Sequence, residues 1–229
     1  MTWQFTANAK RVRRYLYEQF LAEGRSPNVA RIMEATALAK AQVDEALREL
    51  ERGVMVMLER DTDGVVVKCP PWANIPTPHL IGVDGRRKWY AGCAFEALNI
   101  CYCHPGKLVT IDSSCPHCGE PVQITLRDDD VVSHAPGETV VHIGIDPRRW
   151  KENWVAACAN TNFFPSAGHV RAYEQARRVR GASVPLLQAR ELTRYKNRLD
   201  YERGADGGGE GMLPALRKIG AAPNEWGGG

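Results

Sequence analysis

The sequence predicts an α+β protein: an N-terminal winged-helix-like domain of three helices, followed by an α+β core with a small mixed or antiparallel sheet. Three observations lead there. Amphipathic helical stretches open the chain and run into a hairpin signal, a proline-rich break follows, and beyond it short β-branched runs alternate with helical ones. From about Ala9 to Glu23, Val12, Tyr15, Leu16, Phe20 and Leu21 recur at helical spacing among Arg and Glu. Gly24-Arg25-Ser26-Pro27 stops that helix and starts the next, with Ser26 expected as N-cap and Pro27 at the first helical position. The second helix runs from Asn28 to about Ala35. The third spans Lys40 to Arg52, with Val43, Leu47 and Leu50 on one side and Gly53 as its stop. Val54 to Glu59 and Val65 to Lys68, joined by Asp61-Thr62-Asp63-Gly64, read as a β-hairpin.

Cys69-Pro70-Pro71-Trp72 through Pro78 is extended, because proline fixes φ and restricts the residue before it. A helix is expected from about Gly92 to Ile100. Strands are expected at Lys107 to Ile111, Val122 to Leu126 and Thr139 to Ile145, each β-branched and bounded by turn residues. Further helices are expected at Arg149 to Trp154, Val170 to Arg180 and Pro185 to Tyr201. From Gly204 the chain turns glycine-rich, a composition that is entropically costly to order, while Met212 to Ile219 suits a helical turn or two.

Bulk properties narrow the function classes. A 229-residue chain that is 44% hydrophobic and 25% charged has the composition of an ordinary soluble globular protein. Its net charge of +3 is too small to argue for a nucleic acid or an anionic membrane. The third helix, the base reader of a winged helix, sets Asp44, Glu45, Glu49 and Glu51 against Lys40, Arg48 and Arg52, a balance that phosphates would repel. No apolar run approaches the ~20 residues that span a bilayer, and the first residues lack the order of a signal peptide. A cytoplasmic location is therefore expected. The 7 cysteines, an odd count, fit reduced thiols used for metal or catalysis better than a disulfide scaffold.

Cys93, in Tyr90-Ala91-Gly92-Cys93-Ala94-Phe95-Glu96, has a carboxylate three residues downstream, which on a helix shares its face. A thiolate is the competent metal ligand or nucleophile, and a neighbouring carboxylate can accept the thiol proton and deliver it elsewhere. Cys158 lies in Ala157-Cys158-Ala159-Asn160-Thr161-Asn162-Phe163-Phe164, polar at alternate positions and then apolar, like a segment lining a site. A second group is Cys101-Tyr102-Cys103-His104 with Cys115-Pro116-His117-Cys118-Gly119. Cys-Pro-x-Cys-Gly is the turn of a zinc knuckle, and Cys101, Cys103, Cys115 and Cys118 could complete a structural zinc site, with His104 as a substitute ligand. The alternative is four free thiols in a reduced cytoplasm. His79, His134, His142 and His169 occur singly and read as surface or packing residues. No organic-cofactor fingerprint is present: Gly204 to Gly211 lacks the lysine of a phosphate loop, and no Rossmann motif occurs.

Residues about 86 to 166 resemble the catalytic region of the organomercurial (alkylmercury) lyases. That pattern has Y-A-x-C-A-x-D, then S-S-x-C and G-x-P-V, then C-x-H-x-H-F-F. Its counterparts here are Tyr90 to Glu96, a shortened Ser113-Ser114-Cys115, Gly119-Glu120-Pro121-Val122, and Cys158 to Phe164. The resemblance implies Cys93 and Cys158 as mercury-binding thiols and Glu96 in place of the catalytic aspartate. Cys115 would have a structural role. Glu96 is one methylene longer than aspartate, Gly92 stands where the pattern has a bulky aromatic, and Asn160 and Asn162 stand where it has histidines. The implied reaction is protonolysis of a carbon–mercury bond, leaving Hg(II) on the two thiols. Its substrate would be a small organometallic or thiol-reactive molecule, and low-molecular-weight thiols or a metal-accepting protein would take the product. Two other readings stay open: a zinc-stabilised enzyme of the same fold acting in biosynthesis, and a thiol-rich metal-binding or metal-sensing protein without turnover. The expected organisation is residues 1–70 as the winged-helix-like domain, 71–82 as the connector, 83–203 as the α+β catalytic core and 204–229 as a flexible glycine-rich tail.

Overall fold

The structure, a computed structural model, describes residues 5–203, 212–221, 223 and 226. Helix α1 (Ala7–Glu23) buries Ala9, Val12, Leu16 and Phe20, one stripe at helical spacing, and ends at Gly24, whose φ of 70° is the left-handed turn that glycine adopts without strain. Helix α2 (Val29–Thr36) is capped by Asn28, whose side chain accepts from the Arg31 N–H. The expected cap, Ser26, instead bonds the Pro27 carbonyl, and its N–H is held by Asn74. Asparagine and serine are equally good caps, so composition alone could not choose between them. Helix α3 (Lys40–Arg52) buries Val43, Ala46, Leu47 and Leu50. Its Glu49 is also buried, and it accepts from the Thr6 N–H at 2.7 Å and the Thr6 hydroxyl at 2.6 Å, fixing α3 to the start of α1. On the exposed side, Lys40 pairs with Asp44 and Asp63, and Arg52 with Glu45.

Two antiparallel sheets follow. The larger one contains β1 (Met57–Leu58), β2 (Val66–Cys69), β3 (Trp72–Ala73), β4 (Leu80–Val83), β5 (Arg86–Ala91), β6 (Leu108–Ser114), β7 (Pro121–Arg127) and β8 (Asp130–Ala135), in the order β1-β2-β3-β5-β4-β6-β7-β8. The smaller one sets β9 (Val140–Ile143) between β10 (Thr161–Phe164) and β11 (Ala182–Pro185). The α+β class is as expected, but the main sheet is larger than the small one anticipated. The hairpin strands, the proline-rich stretch and the two expected core strands β6 and β7 share it, whereas β9 lies in the smaller sheet. β4, β5, β8, β10 and β11 are strands that the local sequence did not reveal.

The remaining helices are α4 (Ala94–Asn99), α5 (Trp154–Ala159), α6 (Ala167–Arg177), α7 (Leu186–Arg203) and α8 (Met212–Lys218). The helix expected over Arg149 to Trp154 is instead a 3-10 turn at Pro147–Arg149 followed by α5. Met212 and Leu216 are buried, and α8 packs on α7, as a docked turn or two would. The glycine-rich segment 204–211 and residues 227–229 lie outside the described residues. No helix of the described residues is long and apolar enough to cross a membrane.

Aromatic contacts join the helical part to the sheet. Trp72 of β3 is fully buried; it stacks on Phe20 at 5.6 Å between ring centroids and meets Tyr17 edge-on at 4.9 Å. The Trp89 indole of β5 donates to the Phe20 carbonyl at 2.7 Å. On the opposite flank Arg190 of α7, 2% exposed, donates to the carbonyls of Leu98 (2.9 Å) and Asp128 (2.7 Å) and to the Cys101 sulfur (3.2 Å). Its guanidinium lies over the Tyr102 ring. Arg190→Ala strips several buried acceptors of their donor at once and should destabilise the fold by on the order of 3 kcal/mol. A denaturation midpoint that barely moves would show that those acceptors find other partners.

Candidate active site

The chain leaves β5 at Ala91, passes Gly92 and enters α4 with Cys93 as the N-cap. A fully extended backbone at Cys93 (φ −160°, ψ 175°) turns its sulfur toward the helix, where it accepts from the Glu96 N–H at 3.4 Å. The expected one-face relation of Cys93 and Glu96 thus arises from a capping turn. Lys68 of β2, itself buried, donates to the Gly92 carbonyl at 3.2 Å and so anchors the approach to Cys93.

Cys158 comes from α5, which is followed directly by β10. β10 packs against α4, and this brings two residues distant in sequence together. The Asn160 amide bonds the Ala156 carbonyl and the Asn162 amide bonds the Ala159 carbonyl, each at 2.9 Å, fixing the chain on both sides of Cys158. The sulfurs of Cys93 and Cys158 and a carboxylate oxygen of Glu96 all lie within 4.8 Å of one another. The Cys158 thiol points to Glu96 Oε2 at 3.9 Å. A Cβ placed on Gly92 would overlap that same oxygen and lie 3.1 Å from the Glu96 Cδ, so the carboxyl group occupies the space a side chain at position 92 would fill.

Hydrogen bonding with the Cys158 thiol holds Cys93 well above the ordinary thiol pKa, and burial and the Glu96 charge act in the same direction. The Glu96 N–H opposes them. At neutral pH Cys93 is therefore a thiol, which a soft metal can bind by displacing the proton. Nearby, His79 is buried, shares a 2.9 Å hydrogen bond with the Ser113 hydroxyl and meets Phe163 edge-on at 5.5 Å. Burial, and then the charge of Lys68, bring its pKa down to about 4, so it stays neutral.

The structure divides the second cysteine group. Cys101 and Cys103 lie in a 3-10 turn that packs into the main core, where Cys101 bonds the Leu98 carbonyl and Arg190. Cys115 packs in a separate small cluster with Val140, Phe164 and Val170. Among the described residues the anticipated Cys101, Cys103, Cys115 and Cys118 set is not drawn together: Arg190 holds Cys101 in the main core, whereas Cys115 packs in the other cluster. Among the described residues, three or more potential metal-ligating side chains come within 4.8 Å of one another at two places: Cys93, Glu96 and Cys158, and Cys118, Glu120 and His169. His169, expected to be a surface or packing residue, belongs to the second. Sequence reasoning also passed over Lys68. Its one signal is a lysine inside the apolar run Val65-Val66-Val67-Lys68-Cys69.

Comparison with known proteins gives a consistent result. A family model described as alkylmercury lyase matches residues 73–195, a stretch that holds Cys93, Glu96 and Cys158. An alkylmercury lyase from Bacillus cereus is 33% identical over 148 residues, covering 65% of this chain and 64% of that relative. One from Streptomyces lividans is 34% identical over 152 residues, or 66% of each chain. The chain thus spans a little under two thirds of the length of the relatives it matches. In fold, it resembles a crystal structure of the mercury-bound form of MerB2 with a TM-score of 0.65 at 21% identity, over 82% of this chain and 89% of that one. With over half of its residues matched by the family model, including both strands and helices around the thiol site, the chain belongs to the alkylmercury lyase family.

Proposed function

We propose that the protein cleaves the carbon–mercury bond of small organomercurials by protonolysis, with Cys93 and Cys158 as the mercury-binding thiols and Glu96 as the proton carrier. The observation that carries this reading is the convergence of two thiols and one carboxyl group within 4.8 Å in a chain of this family. Thiolates outcompete oxygen and nitrogen ligands for soft mercury. Sulfurs within 4.8 Å of one another also suit two soft-metal bonds that are longer than the ~2.3 Å of zinc–thiolate.

The substrate enters as an organomercury–thiol adduct. The Cys93 sulfur replaces the bound thiol, which leaves with the Cys93 proton. Cys158 passes its proton to the Glu96 carboxylate, 3.9 Å away, and its sulfur binds the same mercury. Two sulfurs raise the electron density on the bound carbon. Glu96 protonates that carbon, the carbon–mercury electron pair goes into the new C–H bond, and the hydrocarbon leaves. Glu96 is again a carboxylate, and Hg(II) remains on the two thiolates until low-molecular-weight thiols or a metal-accepting protein remove it. Such chemistry needs reduced thiols and fits the cytoplasm, where all seven cysteines would stay unpaired, as the described cysteines are.

The test is benzene release from phenylmercury in excess thiol. Cys93→Ser and Cys158→Ser should each reduce turnover by on the order of 10³-fold or more, since each removes a reacting sulfur. Wild-type protein that binds mercury tightly yet releases no benzene would overturn the reading and leave a thiol-rich binder.

A further inference from the structure

We infer that the β6–β7 turn and the start of α6 form a zinc site whose ligands are Cys115, Cys118, His169 and Glu120. The turn itself has the geometry of a metal knuckle. The Gly119 N–H closes it onto the Cys115 carbonyl at 2.9 Å, the Cys115 N–H bonds the Glu120 carbonyl at 2.8 Å, and Gly119 takes the left-handed conformation at φ 79°. The Cys115 sulfur accepts backbone N–H groups from His117 and Cys118, and its thiol hydrogen-bonds the Cys118 sulfur, so the two sulfurs are adjacent.

One further ligand, Glu120, follows in the same turn, and the other, His169, comes from α6. The Cys118 sulfur, a Glu120 carboxylate oxygen and a His169 ring nitrogen lie within 4.8 Å of one another, with His169 Nε2 at 3.2 Å from Glu120 Oε2. The other ring nitrogen, Nδ1, is 3.0 Å from the Ser166 hydroxyl. An Nδ1–H donated to Ser166 leaves the Nε2 lone pair directed at the cluster, the usual arrangement behind a metal-bound histidine. Two thiolates, an imidazole and a carboxylate form a closed tetrahedral set for a borderline-soft divalent ion. Zinc bonds of ordinary length would put these atoms roughly 3.3–3.8 Å apart, so the three close groups draw in and Cys115, which lies outside their 4.8 Å set beside Cys118, turns its sulfur to join them.

Its position suggests its purpose. α6 follows β10, which in turn follows the α5 segment bearing Cys158. An ion here ties the larger sheet to that segment across the Cys115, Phe164 and Val170 contacts, limiting the motion of one reactive thiol. The site itself does not depend on the lyase reading.

Metal content decides the matter independently of turnover. Full-length protein purified under reducing conditions should hold about one zinc per chain and, after exchange, give the tetrahedral thiolate-to-metal absorption of Co(II). Cys118→Ser and His169→Ala should each lose the zinc and, with it, the Co(II) thiolate band. Ser166→Ala should retain the fold but weaken the affinity by about 10- to 100-fold. Cys103→Ser should leave the metal content unchanged. Wild-type protein that holds no zinc and takes up no Co(II) overturns the proposal. So does zinc that persists in both ligand variants, or that is lost in Cys103→Ser.

Discussion

Glu96→Gln should retain tight mercury binding while releasing hydrocarbon some 10²- to 10⁴-fold more slowly than wild type, the range expected on losing a positioned acid. Glutamine keeps the length and most of the shape of glutamate, but it can neither take the Cys158 proton across the 3.9 Å gap nor return one to carbon. A second readout separates this role from a packing role. The Glu96 charge is among the causes that raise the Cys93 pKa, so its removal should lower that pKa and speed alkylation of Cys93 near neutral pH. Slow release with faster alkylation identifies the carboxylate as both proton carrier and electrostatic neighbour. Release within a few-fold of wild type would mean that the proton reaches carbon from elsewhere.

The sequence made legible what is local. Val12, Leu16 and Phe20 announce α1 because a helix returns the same face every three or four residues, and they are buried in the structure. Val122, Ile124 and Leu126 alternate, and β7 buries those three positions. What depends on pairing across the chain was hidden. The Arg86-Arg87-Lys88 run of β5 looks nothing like a strand, yet β5 is held between β3 and β4 by backbone bonds that any side chain permits. β10 carries Thr161 and Asn162, and it is a strand because β9 lies beside it. The candidate site divides in the same way. The proximity of Cys93 and Glu96 follows from spacing, whereas Cys158 joins them through the packing of β10 on α4, a contact that only the family resemblance anticipated. The cysteine knuckle was readable as a turn, but its proximity to His169 was not, since α6 brings that residue to it from a separate element.

Gly92→Ala should cost on the order of 100-fold in turnover with little loss of stability or mercury binding, because the one atom it adds falls where the Glu96 carboxylate sits. The affected atoms are the far end of a flexible side chain, so Glu96 can swing away and the fold survives. The aliphatic chain of Lys68, with its Cδ 3.4 Å from the added methyl, closes the other side and limits the ways in which the carboxylate can return. Glycine at 92 and glutamate at 96 are on this view one adaptation: the longer acid folds back into space that a side chain would otherwise take. Glu96→Asp alone should also lose activity, since its shorter arm withdraws the carboxylate from Cys158. Combined with Gly92→Ala, the aspartate no longer competes with the alanine methyl, and the double variant should turn over faster than Gly92→Ala alone, a coupling of about 0.5–3 kcal/mol between neighbours in one site. The family pattern, which pairs an aspartate with a bulky aromatic at these two positions, follows the same steric rule in reverse. Strictly additive losses in the double variant would show that the two positions act independently and that the room at Gly92 serves something other than Glu96.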